Sequence, residues 1–434
     1  MKKAASFALG CKVNQYESEA IAELFAEKGY EIVGVNEPAD VYVINTCTVT
    51  NFGDKKSRQL IRKVKRQNEN AIVAVVGCYA QTAPEELMNV DGVNLVIGTK
   101  DRARIVELVE QYDAEAGAQS YVTDIMKERL FEPLSIQKLA DRTRAYLKIQ
   151  DGCSQYCSYC IIPYARGPIR SREPEDVLAE VRRLAANGFR EIVLTGIHVA
   201  SYGKDRRDTS LLDILRRVHE VDGIERIRFS SIEPNVVTEE FAQTMAALSK
   251  VCGHFHLSLQ SGCDKTLREM NRKYDTEKYR QAAAMLRRYM PDAALTTDMI
   301  VGFPGETEED FAESYAFAEE MAFAKIHVFP YSPKRGTPAA ERSDQLPNAV
   351  KTERSHKLML LSDKMSADFL AKHIGCDMDV LYERETAEGV FEGHTMNYIK
   401  VSAKSGQDLR NQILRTHMVQ TEGEGLTGEI PAEL

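Results

Sequence analysis

Short apolar runs and amphipathic stretches alternate through residues 1–115. Runs at 4–10, 41–46, 71–77 and 94–98 have strand length and are punctuated by Gly, Asp or Asn. Helical spacing of apolar positions lies between them, at 17–28, 54–67, 84–88 and 102–112. Such alternation predicts a parallel sheet covered by helices on both faces. Residues 116–143 are polar and irregular and are expected to be a linker.

From 144 to 345 the alternation restarts, with strands predicted at 145–149, 191–195, 226–230, 254–259, 294–300 and 325–329 and helices in the gaps. The helix after Arg172 shows why: Pro174 suits a first turn and Glu175 and Asp176 favour the positive end of the helix dipole. Val177, Leu178, Val181 and Leu184 then make one apolar face, and Gly188 closes the helix. Six strand–helix units predict an open, partial (β/α)6 barrel. A helix is expected within 346–372. The tail, 373–434, changes to short alternating segments at 377–382, 398–403 and 412–419, which predict a small all-β barrel of the oligonucleotide-binding kind. The fold class is therefore α/β with an all-β appendage.

Composition narrows the function. A chain of 434 residues with 43% hydrophobic and 28% charged residues buries real cores and is neither disordered nor a disulfide scaffold. No apolar run approaches the ~20 residues that span a bilayer. Met1-Lys2-Lys3 followed by an apolar run and Cys11 superficially resembles a lipoprotein signal, but the run is short and flows into a helix pattern. A net charge of -9 argues against bulk coating of nucleic acid, so any RNA contact is a local patch. The helix at 54–67 supplies one, crowding Lys55, Lys56, Arg58, Arg62, Lys63, Lys65 and Arg66 together, with a merely solvated face as the alternative. Nine cysteines, odd in number and clustered, read as thiols or metal ligands in a cytoplasmic protein.

The sharpest motif is Cys153-Ser-Gln-Tyr-Cys157-Ser-Tyr-Cys160, just after the first strand of the central unit. Three thiolates in one loop can hold three irons of a 4Fe-4S cluster and leave the fourth open. A closed zinc site would need a fourth protein ligand, and no second Cys pair follows at finger spacing. A second set is dispersed: Cys11, Cys47 and Cys78 each end one of three predicted strands, with Gly or Thr beside each. Strand ends of a parallel sheet share one edge, so three loops aim three thiols at one point. Cys252, Cys263 and Cys376 show no such pattern and are expected to be core or incidental thiols.

With Tyr159 before its third cysteine, the motif resembles that of the radical S-adenosylmethionine superfamily. Two three-cysteine sets and a nucleic-acid-type tail together resemble the methylthiotransferase family, whose tail module is called TRAM. The likeness extends to Ile149-Gln150-Asp151-Gly152, Leu259-Gln260-Ser261-Gly262, Gly302-Phe303-Pro304-Gly305-Glu306 and Gly336-Thr337-Pro338-Ala339. The resemblance implies two 4Fe-4S clusters, on Cys11, Cys47 and Cys78 and on Cys153, Cys157 and Cys160, with S-adenosylmethionine contacted near Tyr159 and Gly196. It also implies replacement of a C–H hydrogen by a methylthio group, with tRNA at its anticodon loop, a reductant protein and a sulfur donor as partners.

Gly10-Cys11-Lys12-Val13-Asn14 and Ile162-Pro163-Tyr164-Ala165-Arg166-Gly167 resemble the branch acting on N6-threonylcarbamoyladenosine. Other branches modify isopentenyladenosine or a ribosomal-protein aspartate. A different class, a non-catalytic iron–sulfur RNA-binding protein, would make the 153–160 motif only structural. The threonyl carboxylate calls for a cation, and Lys12, Arg166 and Arg170 are the expected partners. Two features depart from the family: Leu194-Thr195-Gly196-Ile197-His198 replaces the Gly-Gly-Glu of many radical enzymes, and Lys334 stands where Arg is usual. The tail carries 11 acidic against five basic residues, an unusual balance for an RNA-binding module.

Overall fold

A computed structural model of the chain describes residues 1–136 and 143–431. Its first sheet has six parallel strands in the order Glu31–Ile32, Lys3–Ala8, Val41–Thr46, Ile72–Gly77, Leu95–Ile97 and Gln119–Ser120. The four inner strands are those the apolar runs predict. Val41 and Val43 enter one core and Tyr42 and Ile44 the other, which is why these strands read as unbroken apolar runs. The two edge strands, of two residues each, carry no such signal.

Gln119–Ser120 falls inside the expected linker, and Ile125, Leu134 and Ile136 beyond it are buried, the last two against Tyr16 and Ala20. The described part of 116–143 is thus anchored at several points, while 137–142 lie outside the described residues. The segment misleads because its apolar residues form no periodic face, and the buried ones, Ile125, Leu134 and Ile136, are isolated anchors.

All six central strands form, as Arg144–Asp151, Glu191–Gly196, Arg226–Phe229, His254–His256, Ala294–Val301 and Lys325–Pro330. They pair as two parallel sheets joined through single bridges, Ile227 to Val251 and Ile232 to Leu257, giving one curved wall in chain order. Alternation divides its faces. Leu147, Ile149, Leu194, Ile227, Phe255 and Leu295 pack outward against the helices, so Lys148, Arg228, His256, Thr296, Asp298 and His327 occupy the opposite, inner face. The interior is therefore a polar chamber.

The helix Asn348–Ala371 leads to a closed barrel in the order Asp377–Ala387, Val390–Thr395, Lys400–Lys404, Gly425–Glu429 and Ile413–Glu422. This barrel seals the chamber's N-terminal mouth. Arg226 donates to the carbonyls of His394 and Asp379 at 2.8 Å, Arg228 to that of Met396 at 3.0 Å, and Arg144 pairs with Glu383 at 2.7 Å. The loop residue Tyr398, at φ +70°, lies between the rings of His254 and His394, at centroid distances of 4.8 and 4.6 Å.

Candidate metal centres and the chamber between them

The motif loop is held from several sides. The amide of Cys153 donates to Gly167 O at 3.0 Å, Ser158 N to Met270 O at 3.0 Å, and Ala339 N to Ser158 O at 2.9 Å. Gly152, at φ +72°, lies so close to Pro168 that a Cβ there would fall 1.9 Å from its carbonyl oxygen, so the loop's entry requires glycine. Arg272 donates from Nη1 to Cys157 Sγ at 3.1 Å, pairs with Glu233 at 2.8 Å and stacks on Tyr274. Glu233 in turn meets His198 Nε2 at 3.1 Å. Sequence reading gives no signal for Arg272, because a lone Arg in a polar turn has no pattern to distinguish it.

Tyr159 packs against the buried cluster of Met270, Phe303, Tyr331 and Ala339. Gly196 is crowded by Gln150, whose Oε1 would lie 2.8 Å from an added Cβ and accepts from the His198 amide at 2.7 Å. The glycine therefore makes room for Gln150.

The dispersed cysteines also come together. Cys11 begins the helix Lys12–Glu27, Cys47 follows the strand Val41–Thr46, and Cys78 opens a short helix after Ile72–Gly77. Gly10, at φ +95°, passes so near Cys47 that a Cβ would fall 2.7 Å from its sulfur. Burial, then Cys78 and Cys11, push the Cys47 thiol up to about 12; burial likewise lifts Cys11. In the other set burial, then Cys157, push Cys160 to about 12, while burial and Cys157 lift Cys153 to about 11. Thiols crowded in this way give up their protons on metal binding, and both sets suit a metal cluster by donor chemistry and by N–H groups aimed at sulfur. All nine cysteines are free of disulfides.

Arg166 and Arg170, expected from charge alone to meet the substrate, are buried and already engaged by partners within the protein. The Arg166 side chain is fully buried; its Nε donates to Cys78 Sγ at 3.1 Å, Nη2 to Asn14 Oδ1 at 2.7 Å, and Nη1 to Glu17 at 2.5 Å. Arg170, also buried, donates to the Arg166 carbonyl at 2.9 Å and lies 3.6 Å from Asp151. Lys148 bridges Glu17 and Asp151 at 2.7 and 2.5 Å, and Arg102 reaches Glu17 at 2.5 Å. Burial alone would raise Glu17, but Arg102, Arg166 and Lys148 hold it well below the usual carboxylate range. This ionic knot fastens the first sheet's helix to the barrel.

Lys12 differs: it is solvent-accessible and makes no hydrogen bond or ion pair among the described residues. Lys334 pairs with buried Asp54 and lies over Tyr79, tying the barrel's last loop to the first unit. Beside it a cleft of about 850 Å³ is lined by Thr48, Asp54, Arg58, Tyr164 and Lys334 among others. On the basic helix, now Asn51–Gln67, Arg58 pairs with Glu86 and Tyr79, Lys63 with Asn36 and Lys65 with Ala71 O; Lys55, Lys56, Arg62 and Arg66 are exposed.

A partial β/α barrel with three thiols at the C-terminal end of its first strand defines a radical S-adenosylmethionine enzyme. The radical SAM superfamily matches residues 147–318, and uncharacterized protein family UPF0004 matches 3–98. The threonylcarbamoyladenosine tRNA methylthiotransferase MtaB of Bacillus subtilis (strain 168) is 45% identical over 97% of this chain and 94% of its own length. That of Aquifex aeolicus is 38% identical over 88% and 93%. A tRNA-2-methylthio-N(6)-dimethylallyladenosine synthase of Acetivibrio thermocellus is 36% identical over 97% and 89%. The solved radical S-adenosylmethionine methyltransferase TsrM of Kitasatospora setae shares the fold, with TM-score 0.58 at 18% identity over 78% of this chain and 77% of that one. The chain belongs to the radical S-adenosylmethionine methylthiotransferase family. It is an enzyme whose cofactors are S-adenosylmethionine and two 4Fe-4S clusters.

Proposed function

We propose that this enzyme converts N6-threonylcarbamoyladenosine beside the tRNA anticodon to its 2-methylthio derivative in the cytoplasm, drawing on a reductant protein and a sulfur donor. The observation that carries the reading is the convergence of two separate three-thiol sets, each with an arginine N–H 3.1 Å from one sulfur. A superfamily member that only abstracts hydrogen needs one such set. The division of the chain into 1–115, 144–345 and 373–434 supports it, because each contributes to one chamber: the auxiliary thiols, the radical thiols and the seal at the mouth. The choice of nucleoside rests on the MtaB likeness, which is stronger over the full chain than that to the dimethylallyladenosine synthases.

Cys11, Cys47 and Cys78 would hold the auxiliary cluster and Cys153, Cys157 and Cys160 the radical cluster; Tyr159 borders the latter. When bound, these groups with S-adenosylmethionine supply the radical, the sulfur and the methyl group. The chain's own work is to aim and isolate them. Arg272 and Arg166 donate to sulfur and favour its anionic form. The ionic knot fixes the two thiol sets relative to one another, and the terminal barrel closes one mouth of the chamber against water. The exposed cations Lys55, Lys56, Arg62 and Arg66 suit phosphate contacts.

The test is anaerobic turnover with S-adenosylmethionine, sulfide and reductant on tRNAs carrying either nucleoside, followed by mass spectrometry of the digest. Methylthio gain on threonylcarbamoyladenosine is expected. Gain on isopentenyladenosine alone would reassign the branch, and release of 5′-deoxyadenosine without gain on either would point to a protein substrate.

A further inference from the structure

The chamber's inner face carries a group of side chains that neither cluster uses. His254 and His256 follow one another on the same face of their strand, and the Thr296 hydroxyl meets His254 Nε2 and His256 Nδ1, each at 3.1 Å. His327, across the neighbouring strand from Asp298, lies with its ring 5.8 Å from that of His256. Nδ1 of His254 is buried without a hydrogen-bond partner among the described residues. Lys12, entering from the first turn of its helix, lies within electrostatic reach of His254, His327, Arg144 and Arg228.

We propose that Lys12, His254 and His327 form the anion site that receives the threonyl carboxylate of the substrate nucleoside. This deepens the function proposed above and rests on it. The nucleoside's reacting C2 must face the auxiliary thiols, and Lys12 follows directly after one of them, Cys11. A carboxylate carried on N6 is then presented one lysine length further into the chamber. The other basic groups there are already committed: Arg228 donates to Glu191 at 2.9 Å and Arg144 pairs with Glu383. Lys12 makes no ion pair among the described residues, and the carboxylates that face this region, Glu191 and Asp298, are taken up by Arg228 and His256, so a substrate that brings its own carboxylate matches it. Burial, with Arg228 and His256 nearby, holds His254 well below its ordinary range, so its ring is a neutral N–H donor. An isopentenyl group offers nothing to these donors and would leave Lys12 desolvated and unpaired.

The same face offers a competing arrangement. One ligand atom each from His256, Asp298 and His327 lie within 4.8 Å of one another, a spacing that suits a divalent metal. Lys12 acts on both His254 and His327, and its positive charge opposes a metal cation there as it favours an anion. Asp298 is engaged by His256 Nε2 at 3.2 Å and also acts on His327, so Lys12 carries the charge that meets the incoming group.

The test uses full-length protein with both clusters reconstituted, and tRNA bearing threonylcarbamoyladenosine with its carboxyl either free or converted to the methyl amide. Wild type should prefer the free carboxylate by ~10–100-fold in kcat/KM. Lys12→Met should remove most of that preference by slowing the free form while leaving the amide within about twofold, and Lys12→Arg should restore part of it. Binding of both tRNAs without reductant should move in parallel. Because Lys12 adjoins Cys11, iron content and 5′-deoxyadenosine release are measured for each variant; if Lys12→Met loses iron, His327→Phe, on a distant strand, carries the test. Equal slowing of both forms, or zinc retained by the purified protein and lost in His256→Gln, would overturn the site. Wild type that ignores threonylcarbamoyladenosine and modifies isopentenyladenosine would overturn the function as well.

Discussion

The two thiol sets solve one problem by opposite routes. Cys153, Cys157 and Cys160 sit in a single loop whose partners, Met270, Arg272 and Ala339, all come from the same barrel. Cys11, Cys47 and Cys78 come from three strand ends up to 67 residues apart in sequence, and their arginine arrives from the other unit. The radical set can form once its barrel folds. The auxiliary set has its Arg166 donor only when the first sheet docks on the barrel. One side chain thus links the two regions, leaving the helix after the radical loop, Ile162–Arg166, to bond Cys78.

Loss of a ligand should separate the sets most sharply. Cys157→Ala is expected to reduce 5′-deoxyadenosine release and methylthiolation both to background. Cys78→Ala should abolish methylthiolation yet keep reductive cleavage of S-adenosylmethionine, as followed by chromatography of the small-molecule products. If Cys78→Ala also stopped cleavage, the division of labour between the sets would be wrong.

Arg166→Gln tests the connecting side chain. Removing it leaves Glu17 and Asp151 short of a cation in a buried setting, a change that costs about 3–5 kcal/mol. Chemical denaturation should show that loss, and the auxiliary cluster's reduction potential should fall as its N–H donor disappears. Arg272→Gln should lower the radical cluster's potential with a smaller effect on docking. Equal shifts at both clusters from either variant would erase the distinction between a local site and an assembled one.

Acid should act on the same asymmetry more gently. Glu17 and Asp151 are both held below their ordinary values by the surrounding cations, against the opposing effect of burial. Carboxylates depressed in the folded state contribute stability that is complete above their unfolded values, about pH 4, and is lost as pH falls through the folded ones. Docking of the first sheet, read by hydrogen exchange in the helix Lys12–Glu27, should therefore weaken below about pH 4 before the barrel's own strands open.

These contrasts also explain what the sequence makes legible. The 153–160 motif is local, so spacing alone exposes it. The dispersed cysteines are visible only because a parallel sheet gathers strand ends on one edge, and three apolar runs mark those ends clearly. What escaped is what depends on partners. Arg166 and Arg170 look like free cations until Glu17 and Asp151 close around them, and Arg272 has no neighbour in sequence to announce it. Two-residue edge strands and the barrel strands Val390–Thr395 and Gly425–Glu429, rich in Gly and Glu, lack the apolar alternation that marks the rest. Tyr398 matters through a contact made after two units meet, which no local pattern encodes.

The smallest expected effect concerns where RNA meets these two halves. On the terminal barrel Arg384, Lys400, Arg410 and Arg415 each lie 2.6–3.8 Å from a carboxylate of the same barrel, so its cations are largely neutralised. On the helix Asn51–Gln67, Lys55, Lys56, Arg62 and Arg66 stand exposed, and Phe52, 63% exposed, lies under the Lys56 ammonium at 4.7 Å. Phosphate affinity should therefore follow the helix beside the auxiliary set. Arg62→Ala is expected to weaken tRNA binding only a few-fold, about equally for tRNAs of different sequence, and to reduce the slope of log affinity against log salt by ~1. Arg410→Ala should leave that slope unchanged, since its guanidinium already meets Asp408 at 2.6 Å. The reverse pattern would move the RNA contact to the tail and leave the basic helix a solvated face.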